Sequence, residues 1–330
     1  MQAVRISGAG DPSVLRVAQV PEPGPPTRDR LLVRVAASSV NGTDLGLRRG
    51  APGAAVFATL VGLGFDVVGE VETVGPEVTA FRPGDRIAAL LPHRGGGQAE
   101  RVLLRQGRAA RVPDEVATTD AAGLPLAGLT ALQALFGKAG LRFPSGNPRP
   151  TASAPRTGVG EPGSPRVLVH GASGGIGSFA VQLAALAGAH VTGTARAAKH
   201  DFVRALGATV VREHGDLGGA RYDVVFDTPG LLDPARLGAV VAPGGVVVTT
   251  RVASARTATA IVRGALHRGP RVRFVATAAR SVDLAHLLEL VRTGRLGVPV
   301  DRVFPLGQIA EAHRYAESGE VRGKVVVSVT

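Results

Sequence analysis

Residues 165–200 limit the possible fold more than any other part of the chain. A short apolar run at 167–169 comes first, followed by the glycine-rich turn H-G-A-S-G-G-I-G at 170–177, apolar residues at helical spacing at 178–187, and a second apolar run at 189–195. This order predicts a strand, a tight turn, a helix and a second strand. A glycine turn at a helix N-terminus lets backbone N–H groups approach a pyrophosphate, and the helix dipole favours its negative charge. The stretch therefore predicts a phosphate cradle; the alternative is an ordinary turn that binds no ligand.

The length and cysteine content narrow the class of protein. The chain has 330 residues, which is enough for two domains. It contains no cysteine, which excludes disulfides, thiolate zinc sites and a cysteine nucleophile, and which suits the cytosol. No apolar run approaches the roughly 20 residues that cross a bilayer, and the first residues do not resemble a signal peptide. We therefore expect a cytoplasmic protein without a membrane partner.

The formal net charge of +12 raises the question of a nucleic-acid partner. The arginines that supply most of this charge are spread along the chain, and two tyrosines and no tryptophan are present for stacking on bases. A compositional bias towards Gly, Ala, Arg and Val explains the charge, and an anionic phosphate ligand can use part of it. The sequence argues against a nucleic-acid partner and keeps it only as an alternative.

The pattern of apolar runs changes twice along the chain. Short strands separated by turn residues fill residues 1–120, which predicts a small barrel-like β domain. Strands and helices alternate over residues 121–296, which predicts a parallel, doubly wound sheet. The tail, residues 297–330, returns to β character, and we expect it to rejoin the first domain. Residues 144–165 are rich in Pro, Gly, Ser and Thr and are predicted to form a flexible surface loop.

Nine stretches form a specific combination along nearly the whole chain: A-S-S-V-N-G-T-D (37–44), V-V-G-E-V (67–71), R-P-G-D-R-I (82–87), G-G-Q-A-E (96–100), L-P-L-A-G-L-T-A (124–131), H-G-A-S-G-G-I-G (170–177), D-V-V-F-D-T-P-G (223–230), G-R-L-G-V-P-V-D (294–301) and R-G-K-V-V-V-S-V (322–329). In these stretches and their order, the chain resembles the medium-chain dehydrogenase/reductase superfamily, in its zinc-free quinone oxidoreductase branch. The resemblance implies an α/β protein with a GroES-like, β-rich catalytic domain (1–120 and 297–330) and a Rossmann domain (121–296). It also implies a cofactor in the intervening cleft and a homodimer.

The resemblance also bears on metal use. Zinc-dependent members of the superfamily place a cysteine at the position of Asn41 and a histidine at the position of Phe65. Neither residue here is a usual zinc ligand, and the cysteine-rich structural zinc lobe is absent as well. The resemblance therefore implies a reaction without a metal ion.

The end of the second Rossmann strand indicates which nicotinamide cofactor is used. An NAD site usually has an acidic residue there, whereas this strand ends T-G-T-A-R with no carboxylate before Asp201. Arg196 offers a planar fork that suits a phosphate, and Lys199 adds a second positive charge. We therefore expect NADPH; the alternative is that both cations are solvated surface charges.

The resemblance supplies candidates for the site. Asn41 lies on the loop that faces the nicotinamide in the family, and its amide can hold the ribose or carboxamide or donate to the substrate oxygen; the alternative is an Asx turn. Asp44 is expected to order this loop. The predicted catalytic residues are Asn41 and Thr130, the latter with helix packing as its alternative. The predicted cofactor-binding residues are Asn41, Thr130, Ser173, Gly174, Gly175, Ile176, Thr194, Arg196, Lys199, Thr228, Thr250, Phe274 and Lys324.

One departure from the family concerns proton supply. Many relatives carry a tyrosine shortly after the aspartate of this loop, where this chain has Leu45-Gly46-Leu47. No obvious general acid replaces it, since His93 is expected on the surface. Hydroquinone oxygens can take protons from water, whereas reduction of an enone needs a proton at the α-carbon. The missing tyrosine also predicts room for a bulky substrate.

These observations predict an NADPH-dependent, metal-free oxidoreductase that transfers hydride to a small-molecule quinone or α,β-unsaturated carbonyl. A close alternative is an enoyl reductase that tailors a polyketide or acyl intermediate. An alternative of another class is a non-catalytic protein that binds NADPH and nucleic acid. The sequence does not identify the substrate.

Overall fold

The computed structural model describes residues 1–50, 62–143, 163–251, 255–266 and 271–329. Most of the predicted flexible loop, residues 144–162, lies outside these ranges. The chain divides into two units: the first comprises Met1–Leu129, Ala279–Arg292 and Val298–Thr330, and the second comprises Thr130–Ala278 and Thr293–Gly297. The domain boundaries drawn from the sequence stay a prediction.

The first unit is built mainly from antiparallel strands. Its strands are β1 (Gln2–Ile6), β2 (Leu15–Gln19), β3 (Arg30–Val40), β4 (Asp66–Val74), β5 (Arg86–Leu90), β6 (Arg101–Arg105), β7 (Ala109–Arg111), β14 (Val300–Pro305) and β15 (Lys324–Ser328). Its helices are α1 (Gly42–Arg48), α2 (Thr118–Gly123), α3 (Pro125–Leu132, which continues into the second unit), α8 (Ser281–Arg292) and α9 (Ile309–Glu317). The main sheet has the order β14-β15-β3-β4-β5-β7, with β6 also paired to β3 and a separate β1-β2 pair.

Strand β3 shows why this sheet has a buried face. Leu31, Val33 and Val35 alternate along the strand and are fully buried, where they pack with Val67 and Val71 of β4. Successive side chains of a strand point to opposite faces, so this alternation fixes which face is covered.

Three strand ends meet at one place in the first unit. β3 runs antiparallel to β4, so the end of β3 lies beside the start of β4 at Asp66. β15 also runs antiparallel to β3, with Val325 opposite Val40. Asn41, directly after β3, and Lys324, the first residue of β15, are therefore brought together with Asp66.

The second unit contains a six-stranded parallel sheet. Its strands are β8 (Arg166–His170), β9 (His190–Ala195), β10 (Val210–Glu213), β11 (Tyr222–Asp227), β12 (Val241–Thr249) and β13 (Arg271–Phe274). Its helices are α4 (Gly175–Leu186), α5 (His200–Ala205), α6 (Pro234–Val240) and α7 (Ala255–Ala265), and a π-helical turn covers Gln133–Lys138. The strand order is β10-β9-β8-β11-β12-β13. Strands are added outward from β8 on one side and from β11 on the other, so a switch point lies between β8 and β11, as in a Rossmann sheet. The predicted fold class is confirmed.

Helix α1 was not expected, because the sequence around Asn41 predicted a loop or an Asx turn. Asn41 instead stands at the N-cap of α1, and its backbone N–H donates to Asp44 Oδ2 at 2.9 Å. This capping contact stabilises a seven-residue helix that contains two glycines.

No helix within the described ranges combines the length and the apolar character needed to cross a membrane.

Candidate active site

The glycine turn of the second unit lies at the switch point of the parallel sheet. It follows β8 directly, and α4 begins at Gly175 with Gly174 at its N-cap. Gly171 has φ +74°, and a Cβ on Gly177 would lie 2.1 Å from the carbonyl oxygen of Gly171, so both positions need glycine. Residues 173–176 are half-buried. The first turn of α4 has N–H groups without intrahelical partners, so the turn fits a pyrophosphate.

Three of the predicted cofactor residues brace this turn from the carboxyl ends of neighbouring strands. Thr194 Oγ1 accepts from the backbone N–H of Gly171 at 3.2 Å and lies 2.8 Å from His170 Nδ1. Thr228 Oγ1 donates to the carbonyl oxygen of His170 at 2.8 Å, and Thr250 Oγ1 donates to that of Thr228 at 2.9 Å. The structure thus brings the three threonines together, with their hydroxyl groups engaged in holding the turn.

His170 is a site residue that the sequence reasoning missed. Its ring is buried and stacks on His214 with 4.7 Å between ring centroids. Burial, followed by the nearby charge of His214, lowers the pKa of His170 to about 4, so its neutral form is the one beneath the turn. The available signal was its position, since it is the polar residue that ends an apolar strand just before the glycines.

The two predicted phosphate-binding cations follow the carboxyl end of β9. Arg196 is exposed, and its carbonyl oxygen accepts from the backbone N–H of Lys199 at 2.9 Å. Lys199 is buried, with 9% of its surface exposed. Thr130 Oγ1 lies 2.6 Å from Thr277 Oγ1, and Phe274 ends β13 with its side chain partly exposed.

The first unit contains a buried polar cluster formed by Ser39, Asn41, Asp44, Asp66 and Lys324. The exposed fractions are 0% for Asp44 and Asp66, 2% for Lys324 and 7% for Asn41. Lys324 Nζ donates to Asn41 Oδ1 at 2.6 Å and lies 3.6 Å from Asp66 Oδ2. Asn41 Nδ2 donates to Asp66 Oδ2 at 2.9 Å and lies 3.4 Å from Ser39 Oγ. Ser39 Oγ also donates to Asp66 Oδ2.

The two carboxyl groups of the buried cluster have different surroundings. Asp44 accepts from the backbone N–H groups of Asn41 at 2.9 Å and Gly64 at 2.7 Å, so it orders this segment as expected. Burial raises the pKa of Asp44 to about 7 despite these bonds. Asp66 also accepts from the backbone N–H of Leu126 at 2.7 Å. The sequence reasoning missed Asp66, although an acid directly between the apolar residues Phe65 and Val67 signals a buried partner.

Two protein-family models and one relative of similar length match this chain. A model described as an alcohol dehydrogenase GroES-like domain matches residues 27–123, and one described as a zinc-binding dehydrogenase matches residues 197–327. The chloroplastic quinone oxidoreductase QR1 of Triphysaria versicolor is 30% identical, over 99% of this chain and 98% of its own. The chain belongs to the medium-chain dehydrogenase/reductase superfamily.

Solved structures agree with this membership of the superfamily. The quinone oxidoreductase of Coxiella burnetii superimposes with a TM-score of 0.85 at 27% identity, covering 100% of this chain and 99% of its own. The mycobacterial protein Rv1454c, solved with NADPH, gives a TM-score of 0.76 at 26% identity with both chains covered at 100%. Within the superfamily, the Coxiella burnetii structure and QR1 indicate the quinone oxidoreductase branch, and the chain is an oxidoreductase.

The zinc of other superfamily members does not fit the residues of this chain. Phe65 is buried and has no atom that binds a metal, and the Asn41 carboxamide already binds the Lys324 ammonium and the Asp66 carboxylate. In the described part of the chain, no three His, Asp or Glu side chains lie close enough together to hold a metal ion. A catalytic zinc needs three His, Cys or carboxylate ligands beside an open position, and Asn41 and Phe65 provide none of these.

Two further expectations concern the missing tyrosine after Asn41 and the exposure of His93. Leu45 and Leu47 pack against the apolar core of the first unit, whereas a Cβ on Gly46 would meet no atom of the described residues within 4 Å outside its own helix. His93 is exposed. The position that carries a tyrosine in many superfamily members therefore has open space beside it.

Proposed function

We propose that this oxidoreductase transfers hydride from NADPH to a quinone or an α,β-unsaturated carbonyl without a metal ion. The observation that carries the proposal is the glycine turn at the start of α4, at the switch point of a parallel sheet, in a chain of the quinone oxidoreductase branch. NADPH supplies the hydride when it is bound. The backbone N–H groups of residues 173–176 are proposed to hold its pyrophosphate.

The preference for NADPH is proposed from the second strand of the Rossmann sheet. Arg196 and Lys199 follow β9, and no carboxylate precedes Asp201 to bind a ribose hydroxyl. A guanidinium and an ammonium suit the additional phosphate of NADPH. The NADPH in the structure of the mycobacterial relative supports this assignment.

Proton supply separates the two substrate classes. Hydride adds to the electrophilic carbon, the negative charge moves to a carbonyl oxygen, and one proton completes the reduced product. A hydroquinone oxygen can take that proton from water, whereas the α-carbon of an enone needs a placed acid. Asn41 and Thr130 stay proposed contacts of the bound ligands. Both N–H groups of Asn41 are directed to Asp66 and Ser39, so we propose that its side-chain oxygen accepts a hydrogen bond from a ligand.

The decisive experiment is NADPH oxidation against a panel of quinones, enones and enoyl thioesters, with product identification by mass spectrometry. We expect reduction of quinones or enones that a metal chelator does not inhibit. A preference for enoyl thioesters would favour the enoyl reductase alternative. No oxidation with any substrate, together with steeply salt-dependent RNA or DNA binding, would favour the non-catalytic alternative.

We also propose that the protein is a homodimer. In the described part of the chain, β13 pairs with β12 on one side only, and such an open edge can pair with another chain. Val262 and Leu266 are each 58% exposed in the segment that precedes β13. Light scattering after gel filtration should give about twice the chain mass of 33.6 kDa. A single-chain mass would contradict the proposal.

The cytoplasmic location is likewise proposed, on the absence of cysteine. The relative QR1 is a chloroplastic protein, so cell fractionation is the appropriate test.

A further inference from the structure

We propose that the Lys324 ammonium is the resident cation of the buried cluster, that it performs there the electrostatic role of a metal ion, and that it positions Asn41. The positioning role rests on the proposed function, whereas the role as resident cation can be tested without it.

Strand pairing places Lys324 inside the buried cluster. It precedes Val325, which lies opposite Val40 of β3, so its side chain runs beside Asn41. Gly123 leaves room for the side chain of Lys324. A Cβ at this position would crowd it, because that atom would lie 3.4 Å from Lys324 Cγ and 2.9 Å from a methyl group of Val298. The ammonium is therefore built into the cluster by backbone pairing and close packing.

The charges of the buried cluster require a cation. Asp66 is fully buried, and an isolated buried carboxylate is strongly destabilising unless it is paired with a cation. Asp66 accepts hydrogen bonds from the backbone N–H of Leu126, from Asn41 Nδ2 and from Ser39 Oγ. Burial lowers the pKa of Lys324, and the charges of Asp66 and Asp44 oppose that shift. The ion pair between Lys324 and Asp66 therefore stabilises both charges.

The ion pair also fixes which way the Asn41 carboxamide points. Its oxygen lies on the ammonium of Lys324, and its nitrogen lies on the carboxylate of Asp66. A flipped amide would direct N–H groups at the ammonium and its oxygen at the carboxylate, and both contacts would be repulsive. The arrangement leaves Asn41 a hydrogen-bond acceptor, suited to an N–H or O–H group of a bound ligand.

The same arrangement excludes a metal ion. A divalent cation at Asp66 would lie against the Lys324 ammonium and compete with it for the same oxygen atoms. Without the ammonium, Asp66 Oδ2 and Asn41 Oδ1 would form an unneutralised pair of oxygen ligands of the kind that Mn²⁺ binds. Removal of the ammonium should therefore create metal affinity that the wild type lacks.

Mn²⁺ titration followed by electron paramagnetic resonance tests the resident cation. We expect Lys324→Ala to bind Mn²⁺ at least about tenfold more tightly than the wild type, and Lys324→Ala with Asp66→Asn to lose this gain. The exposed Arg322, two residues earlier, provides the control variant Arg322→Ala. Equal affinity in wild type and Lys324→Ala, or a stoichiometric metal ion in the purified wild type, would overturn the proposal.

Kinetics test the positioning role. Lys324→Met keeps the length of the side chain without its charge, and we expect kcat to fall about tenfold while the KM for NADPH stays within about twofold. The neutral double variant Lys324→Met/Asp66→Asn should unfold at about the temperature of the wild type, but its kcat should stay as low as that of Lys324→Met. Recovery of both would show that Lys324 only balances charge and would overturn its positioning role. A wild type that reduces none of the substrates would contradict the proposed function, and the Mn²⁺ titration would still decide the resident cation.

Discussion

Asp44 links the stability of the first unit to pH. Burial raises its pKa to about 7 from the ordinary value of 3.8, so between pH 4 and pH 7 the folded chain holds a proton that the unfolded chain has lost. The stabilisation by this group is complete below pH 4 and declines as the pH rises to 7. A pKa shift of this size corresponds to a change of about 4 kcal/mol in the free energy of unfolding.

Asp44→Asn should remove this contribution. The variant loses part of its capping contacts and is less stable throughout, but its free energy of unfolding should rise more steeply from pH 4.5 to pH 7 than that of the wild type. Urea unfolding at several pH values measures both slopes. Parallel curves for wild type and variant would contradict the raised pKa.

Arg196 is the residue on which the choice of cofactor depends. Its guanidinium is exposed just after β9, where a charge-assisted bond to the additional phosphate of NADPH can form. Arg196→Ala should raise the KM for NADPH about tenfold relative to that for NADH, since such a bond contributes roughly 1.5 kcal/mol. Arg204→Ala is the control, because Arg204 is also exposed and pairs with Asp201 at 2.8 Å. An unchanged ratio of the two KM values would make the NADPH assignment wrong.

At the scale of elements, local patterns and distant pairings differ in how well the sequence predicts them. The strand, turn and helix around the glycines were predicted, because their periodicity and turn residues lie within one short stretch. Helix α1 was not predicted, because it holds two glycines and depends on the contact of Asp44 with Asn41. The pairing of Asn41 with Lys324 was also beyond reach, since 283 positions separate them and only the β3–β15 pairing joins them.

Helix α1 offers a test of substrate size. A Cβ on Gly46 would meet no atom of the described residues within 4 Å outside its own helix, so the first atom of a side chain can be added there without a clash. Gly46→Tyr should lower kcat/KM for a bulky quinone about tenfold and leave that for benzoquinone within about twofold, since the ring would occupy the space that the missing tyrosine leaves.

Gly46→Ala is the matched control for this substitution. Both variants replace a helical glycine, so both gain up to about 1 kcal/mol of helix stability, but alanine adds only one methyl group. Equal effects of tyrosine and alanine on the bulky quinone would show that the open space does not limit the substrate.

At the scale of the whole molecule, acid should be more damaging than alkali. The chain carries a net charge of +12 with its eight histidines neutral, so acid adds positive charge to a molecule that already repels itself. Each unit also buries a neutral histidine, His170 in the second and His313 in the first. Burial lowers their pKa values to about 4 and about 3, below the ordinary value of 6.5. The unfolded chain therefore takes up protons first as the pH falls below 6.5, and stability is lost from there downwards.

His313 allows this effect to be tested in one unit. Its ring is fully buried beside Arg48, and neither ring nitrogen has a hydrogen-bond partner among the described residues. His313→Leu removes two unsatisfied polar atoms at similar volume, so we expect a higher unfolding temperature at pH 7 and a still larger gain at pH 5. His93→Gln, at an exposed histidine, should change neither value by more than about 1 °C, in keeping with about 0.5 kcal/mol or less for most surface substitutions. Calorimetry at the two pH values decides the point: an equal gain at pH 5 and pH 7 would mean that His313 is not titrated on unfolding, and that the acid sensitivity of the first unit comes from its net charge alone.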